Sequence, residues 1–481
     1  RSLHASVATR LMELTPEAAD LTPDLLAHHL TEAGQTDRAI GWWIKAGRRG
    51  LDRSAMQEAE RHLSQALSLA DPLPQGGPQG GAHGGKTEEL RMEIMALLGP
   101  VLIFLRGPGS AEVERLYARA YEVSRQFPET SANFQISWGW WRVSRDFTVM
   151  RERADSLLTH AHTRNDDGLL LQAHHCQWAS HFNQGDLAEC HRHIDRGLEI
   201  YDAGEYRHHA SLYGNHDAKV CGHGERALVL WLNGDPNRAL NEEGISLGWA
   251  ADLGHTGSRA HALDIAMMHQ FYRRDTAKIM DRAADMIALA EEQNFPDHRA
   301  KGLLFRGWAL AQQGDVQRGL EELRAGLARQ KAIGTSEDFP VYHCMLADVL
   351  ALAGKPELAL VELTQARAEF ERTGLRIWAP EIERQIGEMM RLSGANDDAM
   401  VETAFRRALV EAARQGATSL ELRAVTSLAR LWERQGRADE AFSLLRPTLG
   451  RFSADAATRD LVESRTLMAR LSERLNVGWR S

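Results

Sequence analysis

The sequence predicts an all-α protein, a right-handed superhelical solenoid of antiparallel helix pairs with a period of about 40 residues. Three observations predict it. Turn signals of the type Gly-Asp or Gly-Lys-Pro recur at Arg145, Gly185, Gly234, Arg274, Gly314, Gly354 and Gly394, with an eighth at Gly436. Small residues recur at matching places within those intervals, as Gly307, Gly314, Gly319 and Gly326, and one period later as Ala347, Gly354, Ala359 and Ala366. Apolar residues such as Val316, Leu320, Leu323 and Leu327 fall on one helix face, and no alternating strand pattern appears. An array of this kind makes a binding surface rather than an active site.

Taken in chain order, residues 1–70 read as N-terminal helical repeats and residues 71–86 as a Gly/Pro-rich linker, with residues 87–455 as the solenoid and residues 456–481 as a C-terminal capping helix. A helix is expected over residues 87–104, with Thr87 as its cap. The pattern of residues 300–331 is that of a tetratricopeptide repeat. Gly307 and Gly319 sit where paired helices cross, because close crossing needs the smallest side chains. Gly314-Asp315, Gly234-Asp235-Pro236 and Gly354-Lys355-Pro356 each stop one helix and start the next, since Gly accepts the left-handed conformation and Pro suits a first turn. Arg145-Asp146 and Arg274-Asp275 lack the glycine and are weaker turn signals. The step from Gly185 to Gly234 is about nine residues long against the period, and the excess is placed in residues 201–213, a polar and aromatic inter-repeat loop. The step from Gly394 to Gly436 is about two residues long, through Asn396-Asp397-Asp398.

The 481 residues carry a net charge of -9 and a pI near 6.2, with no long basic run, which argues against a nucleic-acid partner. Four Cys and the lack of any long apolar run or signal segment give the expectation of a reducing cytoplasm and no membrane span. The chain begins with Arg1, which is read as the start of a piece of something longer.

Two motifs invite chemistry. Residues 80–87 match the phosphate-loop pattern G-x-x-x-x-G-K-[ST] through Gly80, Gly85, Lys86 and Thr87. A working phosphate loop follows a buried strand, however, and here Pro, Gln and Gly precede it, so the match is assigned to the linker. Residues 174–223 hold nine of the 21 His and three of the four Cys. No C-x-x-C spacing accompanies them, and Cys190 falls at the small-residue place of its repeat, so packing accounts for it and no metal is assigned. No nucleophile elbow, H-E-x-x-H or dinucleotide fingerprint occurs, and no cofactor or catalytic residue is expected. Trp178, Trp231, Trp308 and Trp432 recur near the ends of first helices, a core position. Trp138, Trp140 and Trp141 cannot share one buried helix face, which leaves at least one to line a groove.

Three blocks carry a family resemblance. Residues 23–34, with His28-His29 and Gly34, continue through Ala39-Ile40, Trp42-Trp43 and Ala46-Gly47. This block resembles the segment just after the ATPase core in large bacterial signalling proteins. In those proteins a class III adenylate/guanylate cyclase-like or other output domain precedes an AAA/STAND-type ATPase and a long tetratricopeptide tail. Residues 213–221, with His216-Asp217, and residues 419–432 are similar to stretches of that tail. The resemblance implies a regulatory tail, with the cyclase and ATPase parts absent from this sequence, and the repeat array is read as a cytoplasmic, non-enzymatic superhelix that recognises a protein or peptide, or a small inducer, and passes occupancy to an attached ATPase or output domain. The expected groove comprises Trp138, Trp141, His174, Trp178 and His181, joined by Tyr206, His209, His216 and Asp217 from the long loop. Asp217 has a second reading, as the cap of the following helix. Two alternatives stand beside this: a small-molecule or metal-binding sensor using the His/Cys cluster, and a self-association scaffold forming homo-oligomers.

Overall fold

The computed structural model describes residues 1–14, 22–73, 81–334, 338–394 and 397–477, with the backbone alone for 14 and 81–85. Among the described residues there are 25 helices and no strand, as expected for an all-α helix-pair solenoid. No helix among them is long and apolar enough to cross a membrane. The regular pairs run from Asp167–Gln184 with Leu187–Ile200 to Thr418–Arg434 with Ala438–Leu449, and Arg459–Leu475 follows them.

The 40-residue period resolves into two halves of twenty. Left-handed residues stand at Gly254, Arg274, Asn294, Gly314, Gly334, Gly354, Gly374 and Gly394, one at each helix end from residue 254 to residue 394. Glycine removes the steric cost of that conformation, and Asn165, Arg274, Asn294 and Asn476 adopt it at helix ends where carbonyls of the preceding turn accept the capping N–H groups. Asp follows in many of these turns because its carboxylate accepts a backbone N–H of the next first turn, as Asp186, Asp235, Asp275 and Asp315 do. Arg274-Asp275 is thus a full member of the series. Arg145-Asp146 keeps the Asp cap without a left-handed residue.

Helix crossings use the expected small residues. A β-carbon on Gly307 would lie 2.7 Å from the carbonyl oxygen of Gly319 and 2.7 Å from the amide of Leu323, both backbone atoms that cannot turn aside. Gly307→Val is expected to cost about 3 kcal/mol or more by forcing the pair apart. Gly244→Ala, where no atom lies within 4 Å of the new carbon, gains about 0.5–1 kcal/mol from helix propensity. Urea unfolding of both variants checks the contrast, and equal effects would remove the close-crossing argument.

Two sequence expectations need correction. Residues 201–213 hold two single-turn helices, Ala203–Tyr206 and His209–Leu212, with Asp202, Gly204, Glu205, Arg207 and His208 exposed and Ala210, Ser211 and Tyr213 buried, so the insertion is a helical segment whose C-terminal end packs inward and not a plain loop. Helix Gly81–Arg106 begins ahead of Thr87, which therefore lies within the helix and does not cap it. The phosphate-loop match from Gly81 onward is helical, and residues 74–80 of the expected linker, with Gly80, lie outside the described residues. Arg91 ties the two sides of that segment together by donating to the carbonyls of Ala70 at 2.9 Å and Leu73 at 2.6 Å.

The solenoid coils tightly enough to touch itself. Ser419 donates to the carbonyl of Trp231, 188 residues earlier. The amides of Arg376 and Ile377 donate to the carbonyl of Asn183 at 2.7 and 3.1 Å, and Phe104 meets Phe295 edge-on at 4.4 Å. Each contact joins segments roughly five repeats apart, one superhelical turn. Half a turn apart, Tyr272 and Trp378 stack at 4.4 Å, so side chains also meet across the interior. The first helix of each pair faces inward and is buried over most of its length, while the second helix lies outside.

Candidate functional site: a central cavity inside the superhelix

Coiling leaves a cavity of about 210 Å³ where successive first helices converge. One part of its wall is aromatic, with Phe104, Trp138, Trp141, Tyr272 and Trp378. The other part is polar, with Arg142, His175, His216 and His261 beside Asp264 and Lys301. The Lys301 ammonium lies 2.6 Å from Asp264, 3.4 Å from Asp338 and 4.0 Å from Asp297. Burial alone would lower its pKa, but the surrounding carboxylates, Asp264 foremost, outweigh it and hold the charge. Asn215, buried and left-handed at φ 59°, lines the cavity with neither amide atom hydrogen-bonded within the protein.

The histidines of this wall are neutral. Burial brings His216 and His298 down to about 4, and burial with neighbouring imidazoles holds His175 and His261 well below the ordinary histidine value. His216 stacks on His261 at 3.8 Å, and His175 stacks on Trp178 at 4.7 Å, so both rings are held in place.

The residues expected to form one groove separate into four groups. Trp138, Trp141 and His216 line the cavity. Both Trp are buried, and Trp141 donates to Ser180 at 2.9 Å. Trp140 is the half-buried member of its cluster, held between Arg153, 3.9 Å above its ring, and Tyr121. His174 and His181 lie elsewhere on helix Asp167–Gln184, against His193, with His174 Nδ1 2.8 Å from His193 Nδ1 and His181 Nδ1 3.0 Å from Asp186. Trp178 is fully buried in the core beside them. Tyr206 and His209 pack on each other at 5.3 Å, and Gln172 donates to His209 at 3.3 Å. Asp217 is fully buried and caps helix Ala218–Leu232, accepting from Lys219 and Val220, from the Tyr201 hydroxyl at 2.6 Å and from the Trp249 indole at 3.2 Å.

Sequence reasoning missed Arg142, His261, Asp264, Lys301, Asp338 and Trp378. A signal existed for some of them. His261 and Asp264 stand three apart on an inward-facing helix otherwise rich in Ala, Leu and Met, a polar interruption of a buried face. A second, smaller polar pocket of about 60 Å³ is an ion network in which Arg274, Arg384 and Arg423 meet Glu381, Asp460 and Glu463.

No protein-family model matches the chain. An uncharacterized protein of Rhizobium meliloti (strain 1021) is 34% identical over 431 residues, covering 89% of this chain, and the chain spans 41% of that relative's length. Among solved structures, the human IFIT1 dimer with PPP-AAAA aligns over 99% of this chain and 95% of its own with 11% identity and a TM-score of 0.44. Yeast Tom70 aligns over 96% and 97% with 12% identity and a TM-score of 0.37. A STAND protein with a tetratricopeptide repeat sensor from Pyrococcus horikoshii aligns over 73% and 55% with 13% identity and a TM-score of 0.37. These identities and scores are too low to carry a function or a partner to this chain.

Proposed function

We propose that this chain is a non-enzymatic sensor module whose central cavity takes a small polar ligand, and that it regulates an ATPase or cyclase domain of a larger signalling protein. The observation that carries the reading is the placement of the cavity. Its wall combines Phe104, Trp138, His216 and Lys301 with Ile377 and Trp378, residues from widely separated repeats. An occupant therefore bridges repeats that otherwise meet only through the coiling of the solenoid, and its binding energy favours the tightly coiled state. The volume lies below the range typical of drug-sized ligands, which suits a small metabolite. The regulatory role rests on the resemblance of residues 23–47, 213–221 and 419–432 to signalling-protein tails.

Mass spectrometry of small molecules released on denaturing the purified chain tests this. A stoichiometric species is expected from the parent protein and not from Ala179→Phe, which places a ring in the cavity. If none is released and no metabolite in a thermal-shift screen raises Tm, the cavity is not a sensing site. A protein or peptide partner is a second reading, favoured by exposed Leu358, Val361, Met400 and Val410 on the outer helices Pro356–Thr373 and Asp398–Gln415.

A further inference from the structure

Two imidazoles on the cavity wall face one another in a way their hydrogen bonds leave unresolved. His216 Nδ1 lies 3.0 Å from the carbonyl oxygen of Gly214, which only accepts, so Nδ1 carries the proton and Nε2 keeps a lone pair. His175 Nδ1 lies 3.4 Å from the Gln172 side-chain oxygen, a longer contact with the same polarity. The two Nε2 atoms then present lone pairs to each other at 3.3 Å. The Cys221 sulfur completes the group, with all three ligand atoms within 4.8 Å of one another.

We infer that His175, His216 and Cys221 form a binding site for a thiophilic divalent transition metal, zinc foremost, with one coordination position open to the central cavity. The spacing supports this quantitatively. Two Zn–N bonds of about 2.05 Å at the tetrahedral angle place their nitrogens about 3.3 Å apart. Imidazole, imidazole and thiolate are the ligand types zinc prefers, and each residue lines the cavity, so the fourth position faces that space. The ligands come from helix Asp167–Gln184, from the residues just before helix Ala218–Leu232 and from that helix's first turn, which explains why no C-x-x-C spacing announced them. Burial, with Glu225 and Asp217, pushes the Cys221 thiol well above its ordinary value against a small opposing effect of Arg142, so metal binding at this site releases a proton.

A second triad, His181, Glu189 and His193, does not qualify. The Arg151 guanidinium lies 3.0 Å from His181 Nδ1, and Asp186 already pairs with that atom at 3.0 Å. A cation there would face the guanidinium directly.

The site stands independently of the cavity's occupant, since a metal is held whether or not a metabolite fills the space, so the two readings fail separately. The test uses the full chain stripped with chelator and titrated with Co²⁺ and Zn²⁺. One equivalent of Co²⁺ is expected to bind with a thiolate-to-cobalt charge-transfer band and tetrahedral d–d bands, displaced by Zn²⁺. Cys221→Ser removes the charge-transfer band, and His216→Gln weakens binding at least about tenfold. Cys190→Ser, which changes a buried thiol outside the triad, leaves both intact. X-ray absorption of the zinc-loaded parent protein needs no variant, and its first shell must contain one sulfur and two imidazole nitrogens. Substoichiometric cobalt, or a charge-transfer band that survives Cys221→Ser, overturns the assignment.

Discussion

Lowering the pH from 7 to 5 destabilises the metal-free fold by several kcal/mol, as urea unfolding at a series of pH values is expected to show. The effect comes from buried histidines held neutral outside the proposed metal triad. Burial brings His209, His255 and His298 from 6.5 to about 4 in the folded chain. Their surroundings do not favour a proton. His255 Nδ1 accepts from the amide and hydroxyl of Ser258, capping its helix, and protonation would break both bonds. His209 accepts from Gln172, and His298 packs against Phe104 with Lys301 nearby offsetting Asp297. Because the folded values are depressed, the unfolded chain binds more protons between pH 6.5 and 4, so stability is complete above 6.5 and falls through that window. Each group that keeps its full shift loses about 2 kcal/mol between pH 7 and 5. His255→Asn keeps a capping oxygen without a titrating ring, so the pH slope should fall by one proton at nearly unchanged stability at pH 8. A stability profile that is flat down to pH 5 would falsify the neutral-histidine account.

Much of the architecture was legible because solenoid packing repeats locally. Gly307 and Gly319 announced a close crossing, and the turn at Gly314-Asp315 announced a helix end followed by a cap, since each depends on contacts between neighbours in sequence. The twenty-residue half-period is also present in the letters, but Arg274 and Asn294 stand where the other turns have glycine, and their left-handed conformation is visible only in the backbone. The excess of residues at 201–213 was located correctly, but its burial was not. That depends on Tyr213 finding Trp138 at 5.7 Å, a contact between different repeats. The cavity was illegible for the same reason. Lys301 meets Asp264 across one repeat, yet both meet Trp138 and Trp378 only because the superhelix turns through roughly five repeats before touching itself. That number follows from small angles between successive pairs, which no single position encodes. Trp138 and Trp178 illustrate the limit, since the same residue type on inward helices lines the cavity in one case and fills the core in the other.

Arg423→Ala should cost about 3–5 kcal/mol, because it strands buried charge and opens a contact between turns of the superhelix. The Arg423 guanidinium lies 2.8 Å from Asp460 and 3.5 Å from Glu381, all three side chains at most 7% exposed. It also donates to the carbonyl of Tyr272, 151 residues earlier, and sits 5.1 Å over the ring of Trp231. Removing it leaves Arg274 alone against Asp460 and Arg384 alone against Glu381. Arg423→Lys keeps the charge but not the planar fork that serves Asp460 and the Tyr272 carbonyl together, so an intermediate loss is expected. Arg423→Met combined with Asp460→Leu removes both charges and should recover much of the loss, since paired apolar replacements of buried ions are often near neutral. The cost also has a pH signature distinct from that of the histidines. Asp460 and Glu381 are buried, which alone would raise their pKa, but Arg423 with Arg274 and Arg384 holds both below the ordinary carboxylate range. Their contribution is therefore present above about pH 4.5 and lost as the pH falls through their depressed values, so the difference between parent and Arg423→Ala narrows only in strong acid. Arg423 does not line the cavity, but Tyr272 does, stacked on Trp378. Loosening the Tyr272 carbonyl should thus weaken whatever the cavity holds and enlarge the radius of gyration in X-ray scattering, from a position that touches no ligand. If Arg423→Ala costs less than 1 kcal/mol and leaves the radius unchanged, the turns of the superhelix are not coupled through this residue, and the occupant of the cavity must be sought without reference to their closure.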